Sequence, residues 1–224
     1  MKRRLIVYFI GLFVMTAGIA VSVKSDLGVS PVSSIPYTLT CVWGMEMGKA
    51  TILFHCGLVL LQICVLRKNF KIKNLLQIPV GVVFGYFTTF CNYLMTLVPT
   101  PQFIGIQLVM MLASAVLIAF GIFLYLPADI MPLAGEGAMK AISDTYHIAF
   151  ARVKIAFDVS MVTISLLTCV FLLHKLGSVG IGTVIAAVLV GTVLSQFTKY
   201  CSGWRDRILH KGTEREYKLQ FSKQ

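Results

Sequence analysis

Six apolar stretches, each close to the ~20 residues a helix needs to cross a bilayer, leave a chain like this few ways to fold. They cover residues 5–23, 50–66, 75–98, 103–126, 155–173 and 179–198. Hydrophobic residues occupy 57% of the 224 positions and charged residues only 13%, where a soluble domain carries about 25% charged residues. A water-soluble globule of this composition could not cover itself with polar surface, and a mean hydropathy of +0.84 points the same way. Backbone N–H and C=O groups find no partners in lipid, so segments of this kind pair their own groups as helices. The expected fold is an all-α membrane protein with six transmembrane helices. Lys2, Arg3 and Arg4 before the first stretch imitate a signal peptide, but the apolar run reaches spanning length, so an uncleaved first span is expected.

Two further segments break the pattern. Residues 28–44 read GVSPVSSIPYTLTCVWG, and residues 127–147 read PADIMPLAGEGAMKAISDTYH, with the helical part from Met131. Both are too short or too polar to span comfortably, and each resembles a short helix entered through a turn rich in Pro, Gly or Ser. They occupy corresponding places. At an offset of 103, Gly18-Ile19 aligns with Gly121-Ile122, Asp26 with Asp129, Lys49 with Arg152, Ile52 with Ile155 and Phe54 with Phe157. At 110, Gly81 meets Gly191, Phe87 meets Phe197 and Cys91 meets Cys201. The shared order of elements predicts an internal repeat. Residues 1–98 form the first unit, 99–201 the second, and 202–224 a basic tail.

Charge sets the expected topology. The net charge of +11 resides in the N-terminal cluster, in Arg67, Lys68, Lys71 and Lys73, and in the stretch from Lys199 onward. If both short segments dip in and return, each repeat crosses three times and the second copy is inverted. The termini, the 67–73 loop and the Arg152/Lys154 flank then share the cytoplasmic side, as the positive-inside rule prefers. The same dispersal of charge into the flanks of spans argues against nucleic-acid binding, which gathers it on one face.

Paired broken helices in an inverted repeat point to a transporter binding site. Each short helix presents free N–H groups and partial positive charge at its N-terminus, and two such ends at the midplane could hold a polar or anionic group. Ser30, Ser33 and Ser34 in one segment, and Gly135 and Gly137 in the other, suit that role. Glu136 and Asp158 add ionisable groups at membrane depth, which are costly and often functional. Lys154, four residues before Asp158, could pair with it. His55 occupies the place equivalent to Asp158. Asp26 and Asp129 precede the short helices, where capping is the plain expectation and a charge-relay or gating role the alternative; Lys24 could pair with Asp26. Lys49 and Arg152 start spans and either draw in an anion or snorkel to headgroups.

Other chemistries lack their motifs. No Walker-type loop, His-Glu-x-x-His or Gly-x-Ser-x-Gly occurs, so an enzyme is not expected and no cofactor is implied. The six cysteines lie in or beside apolar segments without a Cys-x-x-Cys pair, so neither a metal nor a disulfide framework is expected. The glycine-rich stretch 177–182 opens a span, where close packing explains it better than nucleotide binding.

The chain resembles the YczE/YyaS/YitT-type bacterial membrane proteins. The likeness rests on GLFVMTAGIAVSVKSDLGVSP near the start, the later broken helix, and IGTVIAAVLVGTVLSQF near the end. Arg152 and Asp158 match the basic and acidic residues of the later span; Gly182-Thr183 and Gly191 match the final one. The second unit has Met131 where the first has Gly28. The similarity covers residues 5 to 201 and implies a bacterial inner-membrane location without naming a substrate. The expectation is a small secondary transporter of a small polar or anionic solute, its site around residues 30–36 and 131–139. A non-transporting scaffold or partner subunit is the competing expectation. At 24.7 kDa the chain is small for a carrier, and a homodimer is compatible with that size.

Overall fold

The computed structural model describes residues 2–174 and 177–210. Most of the basic tail, residues 211–224, lies outside the described residues. Among those described the chain is helical, in the order α1 (Lys2–Ser25), α2 (Pro31–Trp43), α3 (Met47–Leu66), α4 (Gln77–Thr96), α5 (Ile104–Tyr125), α6 (Ala134–Tyr146), α7 (Phe150–Leu173) and α8 (Ile181–His210). All except α2 and α6 are long and apolar enough to cross a membrane. The two short helices have 13 residues each. At 1.5 Å per residue they reach about 20 Å, well under the ~30 Å hydrocarbon layer.

Local chemistry sets their ends. Pro31 opens α2 at the first helical position, where its missing N–H costs nothing, and Ser30 before it is extended. Pro36 inside the helix leaves the Val32 carbonyl without its usual i+4 donor. Gly44 closes α2 in the left-handed region, donating its N–H to the Thr40 carbonyl over 3.0 Å. His147 closes α6 with φ 53°. Left-handed residues recur in both halves: Asp26 after α1 and Asp129 after α5, Gly44 and His147 after the short helices, Arg67 and His174 after α3 and α7.

Helices in lipid gain little from hydrophobicity and associate by close packing of small residues. The α1–α5 crossing shows this. A Cβ on Gly11 would stand 2.6 Å from the Tyr125 nitrogen, and one on Gly121 2.7 Å from the Gly11 carbonyl oxygen. The two helices run antiparallel, since Gly18 meets Ile118 further along. Arg4 donates to the Ala128 carbonyl at 2.7 Å, and Tyr8 donates to the Met131 carbonyl at 2.7 Å. Together they fasten the start of α1 to the turn leading into α6.

Packing between the halves is reciprocal. The short helix α2 lies on α7, and α6 lies on α3. Likewise α4 packs on α1, and α8 on α5. Among the described residues the symmetry is not complete: α1 also meets α8 without an equivalent α5–α4 interface, and the larger difference lies elsewhere. α3 and α4 pack along their length, whereas among the described residues α7 and α8 form no comparable interface.

The 177–182 stretch packs on a helix at one end and a loop at the other: the Gly177 Cβ position is 2.6 Å from Cys169 Sγ of α7, while Gly180 and Gly182 approach the loop after α1. Gly182 donates its N–H to the Leu27 carbonyl at 2.8 Å, and Val29 donates to the Ser178 carbonyl at 3.4 Å. A side chain at Gly180 or Gly182 would strike the Leu27 carbonyl. Gly28 itself sits at φ 108°, with the Gly180 nitrogen 2.7 Å from its Cβ position. Met131, at the equivalent place, is not a positive-φ residue, and its carbonyl accepts from the Tyr8 hydroxyl.

Candidate functional site

The first turns of α2 and α6 meet in the middle of the bundle. A Cβ on Gly135 would lie 3.7 Å from Val32 Cγ1, an ordinary contact. Beside them is a cavity of about 150 Å³, walled by parts of all eight helices. Most of its lining is apolar, including Met15, Phe54, Phe84, Ile118 and Val190. The polar groups arrive at a few points: Ser30 and Ser33 from α2 and its cap, Glu136 from α6, His55 from α3, and Lys154 with Asp158 from α7.

Neither Ser30 nor Leu133 caps its helix with its own side chain, and in α6 the Glu136 carboxylate accepts from its own backbone N–H. Both N-terminal turns line the cavity, so the partial positive charge of each helix start lies beside it. The Ser30 hydroxyl donates to Ser33 Oγ at 3.0 Å. Glu136 shares its surroundings with the buried phenol of Tyr125 and feels both Lys154 and Asp158. Lys154 Nζ and Asp158 Oδ2 are 2.8 Å apart, the i,i+4 pair expected for those residues. The other carboxylate oxygen, Asp158 Oδ1, is buried without a hydrogen-bond partner. His55 is 4% exposed and stacks on Phe84 at 5.5 Å. Its Nδ1 also lacks a partner and sits 3.0 Å from the Cβ position of Gly81.

The structure thus gathers Ser30, Ser33, Gly135, Glu136, His55 and Asp158 around one cavity. Other candidates fall elsewhere. Ser34 turns the opposite way from Ser33: it donates to the Pro31 carbonyl at 2.6 Å and accepts from the Ser165 hydroxyl of α7 at 2.9 Å. Gly137 faces two buried amides, with Gln77 Nε2 2.6 Å from its Cβ position. Asp26 and Asp129 cap neither short helix; the caps are Ser30 and Leu133. Both aspartates are exposed left-handed turn residues. Asp129 lies 3.8 Å from Arg4, and no Lys24–Asp26 ion pair occurs among the described residues. Lys49 and Arg152 are exposed and lie outside the cavity wall. The described residues offer no cluster able to hold a metal ion, and all six cysteines are free thiols.

Two buried amides went unnoticed in the sequence. Gln62 Nε2 donates to Gln77 Oε1 at 2.7 Å and to the Ala134 carbonyl at 3.3 Å, tying α3 and α4 to the first turn of α6. Their signal was present: an uncharged amide within an apolar span needs a partner in lipid. At the 103-residue spacing Gln62 corresponds to Ser165 and Gly137 to Ser34, so the two short helices are held at equivalent points.

This geometry defines a class: an all-helical polytopic membrane protein with an internal cavity walled in part by two short helices. The chain belongs to the family of unknown function DUF6198, whose pattern matches residues 2–199. It is similar to the uncharacterized membrane protein YczE of Bacillus subtilis (strain 168), with 27% identity over 201 residues, 87% of this chain and 86% of that protein. It is also similar to an uncharacterized protein of Haemophilus influenzae, with 25% identity over 186 residues, 83% of this chain and 79% of the other. No solved structure matches the chain.

Proposed function

We propose that the protein is a small secondary transporter of a small polar or anionic solute, and not an enzyme. In this reading the solute binds between the first turns of α2 and α6, and the two halves are inverted copies with three crossings and one re-entrant helix each. The observation that carries it is the convergence of the two short helix starts with Glu136, Lys154 and Asp158 on one cavity whose lining is mostly apolar. Charged groups at membrane depth are expensive and tend to be kept for ion or substrate handling, and opposed half-helices are a known way to build such a site.

Inversion is supported by the reciprocal packing of the halves and by the paired left-handed residues. The placement of basic residues supports an inner-membrane protein with both termini in the cytoplasm. A cavity of about 150 Å³ suits a solute of roughly six to ten non-hydrogen atoms, since a void of that size takes up benzene. The helix starts and Lys154 would receive an anionic or carbonyl group. Glu136 and Asp158 Oδ1 would accept hydrogen bonds from hydroxyl or amino groups on the same solute.

Thermal unfolding of the purified protein against a panel of small metabolites tests this. A solute at a hundredfold excess over its Kd stabilises by about 2.7 kcal/mol. The expected result is a shift for at least one polar solute, reduced in Glu136→Gln and Asp158→Asn variants whose ligand-free unfolding is unchanged. No shift across the panel, with one protein co-purifying in fixed ratio, would instead establish a scaffold.

A further inference from the structure

The two halves differ most at one seam, and that difference lies beside the cavity. In the first half α3 and α4 are closed together. Side chains at Gly48 or Gly85 would strike the opposite helix: Gly48 meets Thr89 and the Gly85 carbonyl, and Gly85 meets Ile52. Gly81 lies against His55, its Cβ position 2.9 Å from the His55 Cβ. Glu46 locks the end of the seam, accepting from the Thr89 hydroxyl at 2.6 Å and from the Gly48 N–H at 3.0 Å.

The corresponding seam in the second half is apart. Gly191, the counterpart of Gly81, has nothing within 4 Å of its Cβ position. Ser195 four residues later is exposed, as Gly85 is not. On α7, Ala151 is exposed and Ile155 is 65% exposed, where their counterparts Gly48 and Ile52 are packed. Asp158, the counterpart of His55, lines the cavity together with Gly191, and its Oδ1 has no partner. The small residues needed for close approach are therefore present on α7 and α8 without the approach itself.

The seams face opposite ends of the bundle. Cys169 in the last part of α7 meets Ser178, whose carbonyl accepts from Val29 beyond the end of α1, so residues 154–158 lie toward the opposite end, where Arg4 holds Ala128. The 48–55 part of α3 lies toward the other end, since Gln62, further along, is the part that reaches α6.

We propose that the gap between α7 and α8 is the solute's open portal and the α3–α4 seam its closed counterpart, and that the two exchange states. In the alternate state Ala151 and Ile155 pack onto Ser195 and Gly191, shutting Asp158 in. The contacts of Gly48, Ile52 and His55 with Gly85 and Gly81 part, opening the cavity at the other end. Two near-equivalent packings of the same element types differ little in energy, which is what a bistable element requires. This inference rests on the transporter reading for its purpose, but its test needs no solute.

Full-length protein carrying Ile155→Cys and Ser195→Cys, in membrane vesicles, is oxidised and the monomer band is digested for mass spectrometry. Both sites are exposed, so the substitutions leave the fold intact, and each single variant controls for the native thiols. Even a closed state populated at about 1% is captured, because each disulfide withdraws it from the equilibrium. The expected result is a 155–195 cross-link within one chain, several-fold above either single variant. In a His55→Cys background the cross-link should also raise labelling of residue 55 by a membrane-impermeant maleimide. No cross-link within the monomer overturns the proposal. A cross-link found only between chains also overturns it, showing the α7–α8 face to be a dimer seam. A cross-link without increased labelling at residue 55 overturns the exchange. Solute-induced stabilisation combined with any of these failures leaves the transporter reading standing alone.

Discussion

Val32 and Gly135, the second residues of α2 and α6, face each other where the two short helices begin, the Gly135 Cβ position 3.7 Å from Val32 Cγ1. Room for a methyl group exists there, and room for a large ring does not without filling the adjoining cavity. Gly135→Ala is expected to leave unfolding unchanged, and Gly135→Trp to weaken solute binding at least about tenfold, near 1.4 kcal/mol. Solute titrations followed by thermal unfolding check both. Equal affinity in the tryptophan variant would remove this junction from the site.

Ser33 and Ser34 are neighbours with opposite duties. Ser33 lines the cavity, whereas Ser34 is bonded to Ser165 and Pro31. Ser34→Ala should lower stability by about 1 kcal/mol and spare solute affinity, while Ser33→Ala should do the reverse. Calorimetry and titration of the two variants side by side separate the outcomes.

The α1–α5 crossing tolerates no side chain at Gly121, where backbone atoms of Gly11 and Met15 stand 2.7 Å from the Cβ position. Gly121→Val should cost about 3 kcal/mol through overpacking, read as a fall of several degrees in the unfolding midpoint. Gly105→Ala, with nothing within 4 Å, is the control and should be silent.

Gln62 holds the start of α6 through Gln77 and the Ala134 carbonyl. Gln62→Leu strands the Gln77 amide and should cost about 1–3 kcal/mol. Hydrogen exchange should quicken most in the first turn of α6. Loosening spread evenly over the bundle would mean the amide pair does not position that helix.

Topology gives the fifth expectation. A reporter fused at residue 70, within the loop of Arg67, Lys68, Lys71 and Lys73, should report the cytoplasmic side. A periplasmic signal there would sink the inverted arrangement.

Spans and short helices were legible in the sequence to within a few residues at most ends: α3 ends at Leu66 and α7 at Leu173, as hydropathy alone placed them. Lipid forbids unpaired backbone, so length and apolarity suffice to mark where a helix must run. Glu136 and Asp158 stood out for a related reason, because a charge in an apolar segment is conspicuous. Asp26 and Asp129 were misplaced as caps because proximity in sequence ignores the intervening turn, which puts Ser30 and Leu133 at the helix starts.

Sequence by itself marked six segments long and apolar enough to span, the two shorter helices between them and the polar residues available to a site. Only the tertiary structure decided which of those residues share a cavity. A helix turns about 100° per residue, so Ser33 reaches the cavity while Ser34 reaches α7, and no composition rule separates them. Tertiary structure also decided that one seam is shut at Gly81 and its counterpart at Gly191 is open. Matching elements in the two halves are packed differently, because the packing rests on contacts between helices far apart along the chain.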